Sequence, residues 1–208
     1  MNLAAFVTEL QAAWSATAPV EAVAAGLGVV YVILVIGQHR SCWIVAFLST
    51  ALYLGVFYRA ALYMQAALQV FYLVVAVYGW REWGRKRSGV ALAVTRASWR
   101  VHGLGLAAVC AATAATATWL AHETHAPNPM LDSLTTWASV FTTWLVARKK
   151  LDNWMWWLVV DSLIAVLCWQ QKLYASMILY AVYVGLVIVG WRSWLMAMKQ
   201  GTGTEQTA

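Results

Sequence analysis

The 208-residue chain predicts an all-α membrane protein with seven transmembrane helices arranged as a parallel 3+1+3 repeat. Three observations carry that expectation. First, 62% of the residues are hydrophobic and only 11% are charged, where soluble domains carry about 25% charged residues. Several apolar runs approach the ~20 residues a helix needs to cross a bilayer. Second, the basic residues segregate. With seven spans, twelve of the 14 Lys and Arg fall in loops on one side, and only Arg59 and Lys172 fall on the other. The positive-inside rule assigns the rich side to the cytoplasm, leaving the N-terminus outside and the C-terminus inside. Third, the chain repeats itself. Residues 43–83 laid on 154–194, an offset of 111, match at ten positions, among them Gly79-Trp80-Arg81-x-Trp83 on Gly190-Trp191-Arg192-x-Trp194. A single extra span between two three-span units leaves both units in the same orientation, and such duplicated halves characterise transporters with a site near mid-bilayer.

The spans follow in order. Span 1 runs from Pro19 to Gly37 and is closed by Gln38-His39-Arg40. Span 2 runs from Cys42 to Phe57, short for a spanning helix, and ends at Tyr58-Arg59. Span 3 covers Ala61 to Trp80, and a basic loop carries the chain to Arg100. Span 4, from Val101 to Ala121, is rich in Ala and Thr. A polar loop from His122 to Pro129 holds two of the three prolines. Span 5, from Leu131 to Ala147, ends in Arg148-Lys149-Lys150. Spans 6 and 7 run from Asn153 to Cys168 and from Leu173 to Trp191. The expected domain plan is an external segment at 1–18 and one transmembrane domain at 19–197. That domain comprises repeat one at 19–83, a linker helix at 101–121 and repeat two at 131–194. A disordered Gly-, Thr- and Gln-rich tail occupies 198–208.

Composition excludes several function classes. The net charge of +6 is accounted for by loops beside spans, so no nucleic-acid partner is expected. Cys42, Cys110 and Cys168 are too widely spaced for a zinc pattern or a disulfide framework. His122 and His125 flank Glu123 in an external loop with no further ligands, so no metal is expected. No Gly-rich phosphate loop, HExxH or nucleophile elbow occurs. The chain is therefore read as neither an enzyme nor a cofactor protein. An intramembrane redox protein would need inward histidines on facing spans, and a seven-span receptor would have no use for duplicated halves.

The chemistry concentrates in Asn153-Trp154-Met155-Trp156-Trp157-Leu158-Val159-Val160-Asp161. On a helix, Trp154, Trp157 and Asp161 share one face at i, i+3 and i+7, with Asp161 roughly 10 Å beyond Trp154. A carboxylate at that depth costs about 2.5–3.5 kcal/mol on insertion scales and marks a functional site by default. A cation held between aromatic planes would compensate it. At the 111 offset, Trp157 and Asp161 fall on Ala46 and Thr50, so only the second half carries the acid. Span 3 adds Gln65, Gln69 and Tyr72, whose counterparts are Ser176, Tyr180 and Tyr183. Span 5 offers Trp137 and Ser139. The expected substrate-binding set is Trp154, Trp157, Asp161, Gln65, Gln69, Tyr72, Thr50, Trp137 and Tyr180.

Trp154-x-x-Trp157-x-x-x-Asp161, Lys172-Leu173-Tyr174 and the paired Gly-Trp-Arg-x-Trp segments resemble the PnuC family of vitamin transporters, over about residues 20–195. The family's fold is similar to that of the SWEET sugar transporters. The resemblance implies an inner-membrane protein that takes up nicotinamide riboside by facilitated diffusion, with a cytoplasmic kinase trapping the product. The family pattern has Asn where this chain has Asp161, which makes thiamine the alternative substrate. The partners implied are a small cationic vitamin, the lipid bilayer and, functionally, that kinase; a homo-oligomer is left open.

Overall fold

A computed structural model describes residues 19–59, 63–87, 90–123, 128–170 and 174–205. Seven helices account for nearly all of it: α1 (Pro19–Ile36), α2 (Cys42–Arg59), α3 (Tyr63–Gly84), α4 (Trp99–Glu123), α5 (Pro129–Ala147), α6 (Asn153–Gln170) and α7 (Tyr174–Glu205). A minimal antiparallel ribbon, β1 (Lys86–Arg87) with β2 (Val90–Ala91), follows α3. The expected external segment at 1–18 lies outside the described residues. α7 continues to Glu205, into the stretch from 198 that composition marks as a tail. Met196, Ala197, Met198, Lys199 and Gln200 are all good helix formers and carry the helix on.

Several hydroxyl side chains inside these helices are satisfied locally. The hydroxyls of Thr116, Thr118, Thr135, Thr142, Thr143 and Ser162 each donate to the carbonyl four residues back. Among the described residues, two helical stretches, Trp99–Glu123 and Met177–Gln200, are long and apolar enough by themselves to cross a membrane, and Val23–Ile36 and Cys42–Gly55 are shorter apolar helices. The remaining helices are diluted by inward polar groups such as Asp161 and Ser139. Large apolar side chains, including Val30, Ile33, Phe47, Leu48, Val74, Leu104, Met155 and Val182, face outward, as they do when lipid is the surrounding solvent.

Neighbours in sequence pack as neighbours in space, from α1 on α2 through α6 on α7, except that α3 meets α5 and α1 meets α7. α4 packs on α5 through Gly105, Val109, Thr113 and Ala117, one residue per turn. The Phe141 ring fills the space where a side chain at 105 would sit.

The deepest packing lies where the basic loops 37–41 and 148–152 emerge. There Trp43 lies over Gly79 and meets Trp83 edge-on at 5.6 Å and 90°, while Trp154 lies over Gly190 and meets Trp194 at 5.5 Å and 90°. The two turns match as well. Gln38 N–H donates to Val35 and His39 to Leu34, as Lys149 N–H donates to Val146 and Lys150 to Leu145. Gln38 and Lys149 both hold positive φ, 54° and 47°. Every one of these pairs is separated by 111 residues.

The segment after the ribbon is docked on the second turn. Thr95 N–H donates to Lys149 O, Leu151 N–H to Thr95 O, and Ala97 N–H to the Asp152 carboxylate at 2.7 Å.

Candidate functional site

A cavity of about 270 Å³ lies between α1, α2 and α3 on one side and α5, α6 and α7 on the other; none of its lining comes from α4. Eight pairs of lining residues obey the 111 offset, including Gly28 with Ser139, Trp43 with Trp154, Ala46 with Trp157, Thr50 with Asp161 and Tyr72 with Tyr183. Offset-related residues thus line the chamber from both sides, and its chemistry differs between the two walls. The wall built by α1 to α3 is small or hydroxylated where the opposite wall carries the indole of Trp157 and the carboxylate of Asp161.

Asp161 is 4% exposed. Among the described residues its carboxylate has no ion-pair or hydrogen-bond partner. Tyr180 and Tyr183 lie close enough to feel its charge, and their rings meet edge-on at 5.7 Å. The Tyr183 hydroxyl lies where a side chain at Gly28 would project, so the glycine makes room for it across the α1–α7 contact. Tyr72 meets Ser139 between α3 and α5. An acceptor-only group without a countercharge, ringed by tyrosines and one indole, can hold a flat cation by charge and by its π-faces.

Of the expected residues, Trp154, Trp157, Asp161, Tyr72, Thr50 and Tyr180 are brought together in this lining. Trp154 occupies a different place from the one its spacing suggests. Its ring is wedged over Gly190 against Trp194 and closes the basic end of the cavity, so Trp157 is the more open aromatic face of the pair. Trp137 is a correction. It turns to the opposite side of α5 and donates its indole N–H to Thr116 Oγ1 on α4 at 3.1 Å, away from the cavity. Gln69 is half-buried on α3 outside the lining, and the Gln65 side chain lies outside the described residues. The sequence reading left out Tyr31, Trp43, Ser49 and Asn153. The offset could have supplied Trp43 as the mate of Trp154; nothing in the sequence marks Tyr31 or Asn153. Trp137→Phe is expected to leave vitamin binding within about twofold of wild type while loosening α4 from α5 by roughly one hydrogen bond, ~1 kcal/mol. Titration beside a thermal melt checks both parts.

Residues 18–196 match the family model described as nicotinamide mononucleotide transporter. The riboflavin/roseoflavin transporter RibM of Streptomyces davaonensis is 30% identical over 173 residues, covering 80% of this chain and 81% of that one. The nicotinamide riboside transporter PnuC of Escherichia coli is 23% identical, covering 87% of each chain. A crystal structure of the vitamin B3 transporter PnuC superimposes with a TM-score of 0.68 at 23% identity, over 87% of this chain and 82% of that one, and shows that the fold is shared. With seven helices among the described residues, a chamber between them and relatives that are transporters rather than enzymes, the chain belongs to the nicotinamide mononucleotide transporter family, the PnuC group of membrane vitamin transporters.

Proposed function

We propose that the protein carries a ring-bearing cationic vitamin, nicotinamide riboside foremost, inward across the bacterial inner membrane by facilitated diffusion, and that a cytoplasmic kinase traps the product. The observation that carries this reading is the unpartnered Asp161 carboxylate in an aromatic chamber. Burying such a charge is costly unless a countercharge arrives, and a pyridinium stacked on Trp157 supplies one. Tyr180, Tyr72 and Thr50 complete the contact surface, Trp154 closes it, and Gln65 and Gln69 stand further along α3 toward the opposite end. Thiamine is the second reading, favoured by its thiazolium charge at an Asp where the family pattern has Asn. Riboflavin is what the Streptomyces relative is named for, and as a neutral ring it leaves the carboxylate uncompensated.

The 111-residue correspondences in packing, turns and cavity lining support a parallel 3+1+3 arrangement with its axis through the chamber. The twelve basic residues support a cytoplasmic assignment for the end bearing loops 37–41 and 148–152, with the N-terminus outside. Titration of the purified protein with the three vitamins by calorimetry tests the substrate. Riboside binding with uptake into proteoliposomes that persists without any ion gradient is expected. Binding of riboflavin alone would overturn the cationic reading, and uptake that stops when a proton gradient is collapsed would overturn facilitated diffusion.

A further inference from the structure

Below the chamber, on the end assigned to the cytoplasm, a set of contacts joins α1–α3 to α5–α7. Trp83 of α3 donates its indole N–H to Val146 O and Ala147 O at 3.3 and 3.1 Å, at the end of α5. Its 111-offset mate, Trp194 of α7, donates to Val35 O at 2.9 Å, at the end of α1. The two rings meet at 6.1 Å. Beside them the equivalent residues of the two turns touch each other. Lys149 Nζ donates to Gln38 Oε1 at 3.2 Å and lies 4.7 Å from the centre of the Trp83 ring. Residues related by the offset can touch only where the axis between the two sets of helices passes.

We propose that Gln38, Lys149, Trp83 and Trp194 form the cytoplasmic gate on the substrate's exit path, with the Lys149–Gln38 contact as its bolt. This rests on the two-repeat transporter reading above, and three physical features carry it further. The reciprocal indole bonds use carbonyls at helix C-termini, which have spare acceptor capacity, and each bond is worth about 1 kcal/mol net. A few such bonds hold a door that must also open in every cycle. Gln38 and Lys149 both sit in left-handed backbone without being glycine, a strained conformation that persists where the surroundings require it; here it aims both side chains across the axis. The closed state also carries a built-in cost. The indole N–H groups of Trp43 and Trp154, which close the chamber above the gate, have no partner, and separating the two sides would give them water.

The bolt pairs a cation with a neutral amide. Burial pulls the Lys149 pKa down, so a carboxylate at 38 would tighten the pair and a second ammonium would split it. Because 38 and 149 are equivalent positions, exchanging their residues should restore the contact. Cys42 reports on the gate, since it is buried in the same cluster as Trp43 and Trp83. In a C110S/C168S background, the rate at which a membrane-impermeant maleimide labels Cys42 from the cytoplasmic face is measured in vesicles. Labelling is expected about tenfold faster in Q38K and about tenfold slower in Q38E, the equivalent of ~1.4 kcal/mol on the opening equilibrium. The Q38K/K149Q exchange is expected to return to the background rate. Q38E should slow uptake by the same factor with vitamin affinity unchanged within about twofold. Labelling at the background rate in both Q38E and Q38K, or an exchange variant as perturbed as Q38K alone, overturns the gate; should Q38K fail to fold, Q38E alone decides. If none of the vitamins binds while labelling still follows the charge at 38, the substrate reading fails and the gate stands.

Discussion

Asp161→Ala is expected to weaken binding of the cationic vitamin by about 100-fold or more, because truncating one partner of a buried charge pair costs about 2–5 kcal/mol. Asp161→Asn keeps the shape and removes the charge; a loss nearer tenfold is expected, since the amide still accepts a hydrogen bond. Stability should move the other way. Asp161 is 4% exposed and its carboxylate has no partner among the described residues, so removing it relieves a desolvation cost and should raise the thermal midpoint of both variants. A scaffold aspartate would show the reverse. Calorimetry beside thermal melts in detergent separates the two, and an alanine variant that binds as tightly as wild type removes Asp161 from the site.

The second large effect is on folding. A methyl group at Gly79 would run into the Trp43 ring, and one at Gly190 into the Trp154 ring. Both rings are already held edge-on against Trp83 and Trp194, so neither can retreat. Gly79→Ala and Gly190→Ala should each cost about 1–3 kcal/mol as overpacking, and the double variant should fail to accumulate as a monodisperse protein. Gly103 has open space around its missing Cβ; Gly103→Ala should be neutral or gain up to ~1 kcal/mol of helix propensity. Equal melting points for all three single variants would refute this packing account.

The helices were legible because apolar run length and loop charge are local properties of the chain. The acid at 161 was legible for the same reason: a charge inside an apolar run needs an explanation wherever the chain folds. What resisted reading depends on distant partners. Trp154 and Trp157 share a helical face, yet only contact with Gly190, 36 residues on, makes one of them a wedge and leaves the other open to the chamber. Trp137 and Ser139 point in nearly opposite directions on α5. Both sides of that helix are packed, against α4 and against α3 and α6, so periodicity alone had no means of choosing which of them lines the cavity. The offset of 111 links Tyr183 to Tyr72 and Trp43 to Trp154 in the sequence itself; that it also brings Gln38 against Lys149 has no signal in either local sequence.

The docking of Thr95 on the α5–α6 turn sets a mechanical limit. The chain from α3 to α4 is not a slack connector, because residues 95–97 are fastened to 149–152 by two backbone hydrogen bonds and by the Ala97 N–H to the Asp152 carboxylate. Ten residues lie between Gly84 and Thr95; among them Val94 is buried in the same cluster as Trp83, and β1 pairs with β2. At ~3.3–3.6 Å per extended residue, these residues form a leash of fixed reach between the end of α3 and the far turn. Any swing that parts Trp83 from Val146 must stop when that leash is taut.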